Sequence, residues 1–306
     1  VVDVYAVFGC SLLSGMLMIM SVPSNATIIA HEDMGAFAGI TILDVTLKLS
    51  AALSLYLLPE QNLLLSYALL MLCVAAIVRS VYWFYCHRHY RTIRFRWVKE
   101  SALYREMLSF MGWNTFGNAA YVGNTQGINL VLNAFGGPVV NAARGVAFQV
   151  QTAVTQFIAS FQTAINPQIT KTYAQGQVDQ TNRLILISSR LSFMLMLFIA
   201  LPLLLDTDYI LALWLGKVPP YASVFIRWML CATLVDCVAN PMMIGASATG
   251  RVKTYYLVIG TTLLLTLPVG YFAVRTTGNP THIFVTLLAT TILAQIFRMA
   301  ICRGLF

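Results

Sequence analysis

The sequence predicts an all-α protein that crosses a membrane about nine times. Of its 306 residues, 58% are apolar and 10% are charged, and the mean hydropathy is +0.75, which is typical of multi-pass membrane proteins. The apolar stretches are also about 20 residues or longer, the length that a helix needs to cross the hydrocarbon core. Strands of an outer-membrane barrel would alternate in polarity at every second residue, and these stretches do not.

Nine apolar stretches follow one another with short connections. In chain order they are Tyr5–Ile29, Ala36–Leu58, Leu63–Cys86, Leu108–Phe135, Pro138–Ile165, Leu184–Leu205, Tyr221–Ala248, Tyr255–Val274 and Ile283–Cys302. Between the fourth and the fifth, Gly136, Gly137 and Pro138 predict a tight hairpin on the outer side. The connections leave no room for a soluble domain, so we expect any activity to reside among the helices or in these loops.

Two further boundaries have local signals. Pro167 disfavours helix at the preceding residue, Asn166, so we expect the fifth span to end there. The longest outer connection, residues 206–220, is expected to form a short interfacial helix held by Trp214.

Basic residues concentrate on one side of the predicted membrane. The connections on that side hold 11 lysines and arginines, against two on the other, Lys217 and Arg275. The 11 are Arg88, Arg91, Arg94, Arg96, Lys99, Arg105, Lys171, Arg183, Arg251, Lys253 and Arg303. The positive-inside rule therefore places the first side in the cytoplasm. The basic run 87–99 is expected to meet anionic lipid headgroups, with nucleic acid as the lesser alternative.

The sequence also contains an internal repeat. Val22–Leu49 aligns without gaps on Asn240–Leu267 at an offset of 218 residues, so that Pro23 falls on Pro241. The offset counts six spans, and an even number preserves orientation, so the copies would be parallel repeats of a kind known in transporters. If the two units are equal, three helices of the first would precede Val1, and we predict a fragment of a protein with at least twelve spans.

Polar side chains occupy one half of the fifth span and a narrower strip of the fourth. The fifth span carries Gln149, Gln151, Thr152, Thr155, Gln156, Ser160, Gln162, Thr163 and Asn166 on one half of its circumference, and the fourth carries Asn114, Asn118, Thr125, Asn129 and Asn133. Lipid cannot satisfy amides. They could serve as hydrogen bonds between helices, worth about 0.6–2 kcal/mol each, or line a hydrated cavity. The number of amides on two neighbouring spans favours the cavity.

Charged residues inside the spans are candidates for function because they are costly at membrane depth. Arg79, Arg190 and Arg298 lie toward cytoplasmic ends and are expected to extend to the interface. Lys48 follows Asp44 by four residues, the favourable spacing for an ion pair within a helix. This pair could be structural, or it could belong to a site.

Three other charged residues are candidates for the cavity itself. Arg144 lies near the outer end of the polar fifth span, and Arg227 lies about two turns into the seventh. Asp236 is nine positions after Arg227, hence about 180° around the helix, so the two cannot face one cavity unless the helix unwinds. Asp236 could couple transport to an ion, or it could be a buried acid bonded to a neighbouring span.

The sequence predicts neither a cofactor nor a metal site. It contains no glycine-rich phosphate loop, no zinc-type spacing and no nucleophile elbow. The six cysteines are scattered through apolar runs and are expected to be buried small side chains. This pattern disfavours a membrane enzyme such as a polysaccharide polymerase, which would need a catalytic cluster or a large outer loop.

Several stretches carry a family resemblance: "MLSFMGWNTFGN", "QGINLVLNAFGGPVVNAARGVAFQVQ", "FQTAINPQITKTYAQGQ" and "SVPSNATIIAHEDMGAFA". The chain resembles bacterial polysaccharide or O-antigen flippases of the multidrug/oligosaccharidyl-lipid/polysaccharide superfamily, which are similar in fold to the MATE exporters. The resemblance implies two six-helix lobes around an alternately opening cavity. Residues 1–100 would form the second half of the first lobe with its basic loop, and residues 101–306 the second lobe.

The resemblance also implies a function. The cargo would be an oligosaccharide on a polyprenyl diphosphate, moved across the bacterial inner membrane, with membrane lipids and polysaccharide polymerase machinery as further partners and no nucleic acid. The expected cavity residues are Arg144, Arg227, Lys48, Asn118, Asn129, Asn133, Gln149 and Gln156, with Asp236 and Asp44 as candidates for ion coupling. The alternative is a cation-coupled drug exporter, which would want acidic groups in the cavity.

Overall fold

The computed structural model describes residues 2–57, 63–90, 100–250 and 252–305, and these are almost entirely helical. The chain divides into two compact units, Val1–Lys99 and Glu100–Phe306. Within the described residues, seven helical segments are long and apolar enough to cross a membrane. The two remaining predicted spans, the fourth and the fifth, belong to one long amide-rich helix of the second unit.

The described part of the first unit contains three α-helices. Its helices are α1 (Val2–Ala30), α2 (Met34–Ser54, continued by a 3₁₀ turn, Leu55–Leu57) and α3 (Leu63–His89). The third helix packs against both of the others, around Ile28, Ile40 and Tyr82. Other apolar side chains, such as Met18 and Ile42, are exposed, as expected of helices that lipid surrounds.

Asp33 organises the turn between α1 and α2. Its Oδ1 caps α2 by accepting the Ala36 N–H at 3.2 Å. Its Oδ2 accepts hydrogen bonds from the hydroxyl groups of Tyr85 and Tyr90, with oxygen–oxygen distances of 2.6 and 3.2 Å. Both tyrosines lie at the end of α3. These hydrogen bonds, that of Tyr85 foremost, lower the pKa of the Asp33 carboxyl. One carboxylate thus ties the beginning of α2 to the end of α3.

Residues 100–250 and 252–305 of the second unit form eight helices. They are α4 (Ser101–Ala174), α5 (Val178–Leu205), α6 (Thr207–Leu215), α7 (Ala222–Asp236), α8 (Ala239–Ala248), α9 (Val252–Leu264), α10 (Thr266–Thr277) and α11 (His282–Leu305). The largest apolar cluster joins α4, α5, α7 and α11, with Phe225, Phe284 and Met196 fully buried. The last helix, α11, packs on α7 and α9.

The long helix α4 is a hairpin. Gly137 has φ 64° and ψ −164°, which is not helical. Arg144 contacts Thr125 and Asn129, which a straight helix would place about 22 to 28 Å away. The predicted hairpin at the two glycines is therefore confirmed, and it divides α4 into a first arm, residues 101–136, and an antiparallel second arm, residues 138–174.

The predicted end of the fifth span at Asn166 is wrong. The second arm runs through Pro167 to Ala174. Beyond the proline, Ile169 is fully buried and Thr172 is hydrogen-bonded to Thr181 of α5 at 3.0 Å between the hydroxyl oxygens. Tertiary packing of these two side chains outweighs the local preference of the residue before proline, which is modest.

The seventh predicted span agrees with one segment that is long and apolar enough to cross a membrane, Ala222–Ala248, which has a break between α7 and α8. The chain turns between α7 and α8, and Pro241 lacks the N–H that would bond the carbonyl of Cys237. Gln162 of the second arm donates its Nε2 hydrogen to that carbonyl at 2.8 Å, and Ser189 of α5 donates to the carbonyl of Val238 at 3.4 Å. Neighbouring helices thus satisfy the backbone freed by the break, as is required at membrane depth.

The other boundaries agree more closely with the sequence. The short helix expected within residues 206–220 is α6, and Trp214 on it is exposed, as an interfacial anchor would be. The eighth predicted span lies within one segment that is long and apolar enough to cross a membrane, Val252–Thr277, which is interrupted at Leu265 between α9 and α10.

Candidate functional site

Two adjoining cavities lie inside the second unit. Their volumes are about 340 and about 380 Å³, and their walls come from α4, α7, α9 and α11, with α5 and α8 joining the second. Because several residues line both, we treat them as one space, the second-unit cavity. The shared residues are Tyr121, Thr155, Thr233, Asp236, Leu263 and Arg298.

The two arms of α4 supply much of the polar wall. The first arm contributes Asn118, Tyr121, Asn124 and Thr125, and the second contributes Arg144, Gln151, Thr152, Thr155 and Gln162. The hairpin at Gly137 makes this possible, because it folds the polar face of one arm beside that of the other. Apolar side chains such as Ile128, Leu263 and Phe284 complete the wall, so the cavity is amphipathic.

The polar half of the fifth span contains side chains that join helices and side chains that line the cavity. Gln162 is buried and bonds Ser192 of α5 at 3.0 Å as well as the freed carbonyl of Cys237, so this amide joins helices. Gln151 lines the cavity and also donates to the Thr233 hydroxyl at 2.8 Å. Thr152 is exposed on the cavity wall, and its hydroxyl donates to the Phe148 carbonyl of its own helix at 2.8 Å.

The remaining amides predicted for the site have varied positions. Asn118 lines the cavity, and Asn129 accepts a hydrogen bond from Arg144. Asn133, Gln149 and Gln156 are exposed on the surface of the second unit and do not line the two cavities. Because lipid cannot satisfy amides, the face that carries these three needs water or protein beside it.

Asp236 and Arg298 form an ion pair in the cavity wall. Asp236 ends α7, and its Oδ1 lies 2.7 Å from Nη1 of Arg298 on α11. Arg298 is 6% exposed and also donates to Gln295 Oε1 at 3.3 Å. The expectation that Arg298 extends to the interface is therefore wrong, because its length serves to reach a carboxylate on another helix. A stripe of Thr291, Gln295 and Arg298 on one face of α11 was the available signal.

Arg144 lies in the wall without an acidic partner. It is 5% exposed, and its Nη2 donates to the carbonyl of Thr125 at 2.8 Å while its Nη1 donates to Asn129 Oδ1. The guanidinium lies over the Phe148 ring, 5.7 Å from its centroid. The buried Nε has no hydrogen-bond partner, and among the described residues no carboxylate pairs with this arginine.

The other predicted charges are paired outside the second-unit cavity. Arg227 bonds Asp208 of α6 at 2.8 Å and the Thr207 hydroxyl at 3.2 Å, on an exposed surface. This places Arg227 away from Asp236, as the helical spacing requires. Lys48 pairs with Asp44 at 2.7 Å within α2 of the first unit, also exposed. Neither pair contributes to the cavity wall.

Comparison with known proteins identifies the family of this chain. The profile of the family described as MatE matches residues 115–272, just over half of the chain and most of the cavity wall. The chain belongs to the MatE family. No curated protein matches this MatE chain, but solved structures do.

Three solved structures illustrate the likeness. A MATE transporter in a straight conformation is 14% identical with a TM-score of 0.83, over 98% of this chain and 68% of its own. An outward-facing multidrug resistance MATE transporter is 13% identical with a TM-score of 0.82, over 98% and 69%. A MOP superfamily transporter from Pyrococcus furiosus is 13% identical with a TM-score of 0.72, over 99% and 78%. The TM-scores show that the chain shares the fold of these structures, which is that of a multi-pass membrane transporter of the MATE type.

Proposed function

We propose that this MatE protein is a flippase for a polyprenyl diphosphate-linked oligosaccharide, working by alternating access across the bacterial inner membrane. One observation carries the proposal, the composition of the second-unit cavity wall. Among its described residues, the wall carries two arginines and one aspartate, and that aspartate is paired with Arg298. The wall thus has a net positive charge and many amides and hydroxyls, which suit an anionic sugar-bearing cargo.

The polar groups of the wall match the chemistry of sugars. Each sugar hydroxyl is both a donor and an acceptor, and amide and hydroxyl side chains such as Gln151, Thr152 and Asn118 offer both in turn. The polyprenyl tail would remain in the lipid, because burying it in a polar cavity gains nothing. Under this proposal the physical partners are the membrane lipids, the lipid-linked oligosaccharide and the polymerase machinery that consumes it.

A cation-coupled multidrug exporter is the second candidate function. Two observations favour it: the side chain of Asp236 is 44% exposed within the cavity wall, and the fold is shared with a multidrug resistance MATE transporter. The Pyrococcus furiosus structure, however, is described as a MOP superfamily transporter whose binding pocket has reverse polarity, which suggests a different function for it. Cavity charge can therefore separate the two candidates for this chain.

The first experiment tests the flippase. Expression of the full-length protein in a bacterial strain that lacks its own flippase should restore surface polysaccharide, measured by immunoblotting of extracted glycan. Thr152→Val removes one hydroxyl from the cavity wall and should lower the restored amount about 3- to 10-fold, the effect of one hydrogen bond. Thr276→Val is the matched control, since Thr276 bonds its own helix in the same way at the Phe272 carbonyl, outside the cavity.

The same strains separate the two functions. The paired substitution Asp236→Asn with Arg298→Gln removes the only carboxylate among the described residues that line the two cavities. Because both partners are neutralised, no lone charge remains. A cation-coupled exporter should then lose ethidium efflux, whereas a flippase should keep at least part of its polysaccharide. The flippase would be rejected in favour of the exporter by two results together. The unaltered protein would export ethidium, with loss of efflux when Asp236 is replaced, and it would restore no polysaccharide.

A further inference from the structure

Within the part of the chain that the structure describes, the Arg144 guanidinium has no acidic partner, which distinguishes it from the other basic residues considered for the site. Arg298 is neutralised by Asp236, Arg227 by Asp208, and Lys48 by Asp44. Arg144 instead rests on a backbone carbonyl and an amide oxygen, which orient it but supply no negative charge. A buried charge without a counter-ion is costly. An anionic ligand in the cavity would offset this cost for Arg144.

The geometry leaves donors available for such a ligand. A guanidinium has five N–H donors, and the contacts with Thr125 and Asn129 use two of them. These two contacts and the Phe148 ring hold the plane of the group in place. Nη1 and Nη2 each carry a second N–H for which the structure records no acceptor among the described residues, and the side chain lines the cavity. Nε also has no partner, but it is buried. A planar fork fixed in this way suits the bidentate recognition of phosphate oxygens.

We infer that Arg144 is the anion-binding residue of the second-unit cavity and that its ligand is the diphosphate group of a lipid-linked substrate. The inference rests on the proposed function for the identity of the cargo. The neighbours agree with it, because Gln151 and Thr152 are on the same wall for a sugar, and Ile128 offers an apolar surface. Arg298 has a different role, because Asp236 neutralises its charge.

The test is a binding measurement on the purified full-length protein by titration calorimetry, with farnesyl diphosphate, farnesol and inorganic diphosphate as probes. The unaltered protein should bind farnesyl diphosphate at least about tenfold more tightly than farnesol. Arg144→Gln should weaken farnesyl diphosphate binding about 10- to 100-fold, the range for losing a charge-assisted bidentate contact, and leave farnesol unchanged. Arg227→Gln, which removes a paired surface arginine, is the matched control and should leave both affinities unchanged.

Inorganic diphosphate distinguishes the source of the anion. If it competes with farnesyl diphosphate, Arg144 recognises the anion by itself, and if it does not, recognition requires the lipid-borne group. In either case the site stands when binding depends on Arg144. Equal affinities for farnesyl diphosphate and farnesol, or an Arg144→Gln variant that binds as the unaltered protein does, would overturn it.

A folding defect would not leave the inference open. If Arg144→Gln does not fold, Arg144→Lys is the second variant, because it keeps the charge but lacks the planar guanidinium. It should bind farnesyl diphosphate about 3- to 10-fold more weakly than the unaltered protein. Unchanged binding would overturn the bidentate site. The measurement is also separate from the transport assay. Binding that depends on Arg144, combined with no restored polysaccharide, would reject the proposed cargo and keep the anion site.

Discussion

At the scale of single residues, charge pairing decides what each ionisable group in the membrane can do. Arg298 and Asp236 face the same cavity but neutralise each other, and the position of Asp236 at the end of α7 adds to the attraction, because a helix C-terminus carries partial negative charge. Arg144 has no such partner among the described residues. The difference between these two arginines is a difference in neighbours, not in burial.

The Arg298–Asp236 pair should contribute measurably to stability. Arg298→Met leaves Asp236 without its counter-ion, and removing one partner of a fully buried pair costs about 3–5 kcal/mol. Because the Asp236 side chain is 44% exposed, we expect about 1–3 kcal/mol, measured as a lower midpoint of thermal unfolding in detergent. Adding Asp236→Asn should recover part of the loss. Arg227→Met, at an exposed pair, should cost about 0–1 kcal/mol, and equal losses for both arginines would contradict the assignment.

At the scale of helices, the polar wall depends on the reversal in α4. Gly137 adopts φ 64° with ψ −164°, a region that is accessible almost only to glycine. Gly136 allows the reversal to be tight, since a Cβ there would lie 2.5 Å from Val140. Without this turn, Arg144 could not reach Thr125 and Asn129.

Gly137→Ala should destabilise the hairpin by backbone strain alone. The space around the position is open, so the expected cost of about 1–3 kcal/mol comes from the positive φ and not from a clash. Gly145→Ala is the matched control, because Gly145 is helical with equally open space, and alanine should be neutral or stabilising by up to about 1 kcal/mol. Thermal unfolding of both variants measures the difference, and a Gly137→Ala protein as stable as the parent would show that the turn is not constrained.

Local signals predicted the helices well and their long-range partners poorly. The hairpin at the two glycines and the interfacial helix α6 followed from residues that lie next to each other in the chain. Arg298 was assigned to the interface because its carboxylate partner lies 62 positions away. In the same way, the hydrogen bond by which Gln162 joins helices depends on the break at Pro241, which frees the Cys237 carbonyl, and no signal near Gln162 predicts it. The helix past Pro167 depends on packing that no local rule contains.

At the scale of the whole molecule, polarity is distributed as expected for a membrane transporter and opposite to that of a soluble protein. Apolar side chains cover much of the outside of both units, while arginines, amides and hydroxyls line a space inside the second. The MATE-type fold explains how such a space can serve transport, because it shields polar cargo from the acyl chains.

The most direct test asks whether water reaches the polar wall. In full-length protein whose natural cysteines have been replaced, Thr152→Cys lies in the cavity wall, 14 residues into the second arm of α4. Leu191→Cys is the control, since Leu191 is exposed on α5 and lies 14 residues before its end at Leu205. A hydrophilic maleimide in intact membranes should label Thr152→Cys and leave Leu191→Cys unlabelled. Labelling at Leu191→Cys with none at Thr152→Cys would contradict a hydrated cavity between the arms of α4.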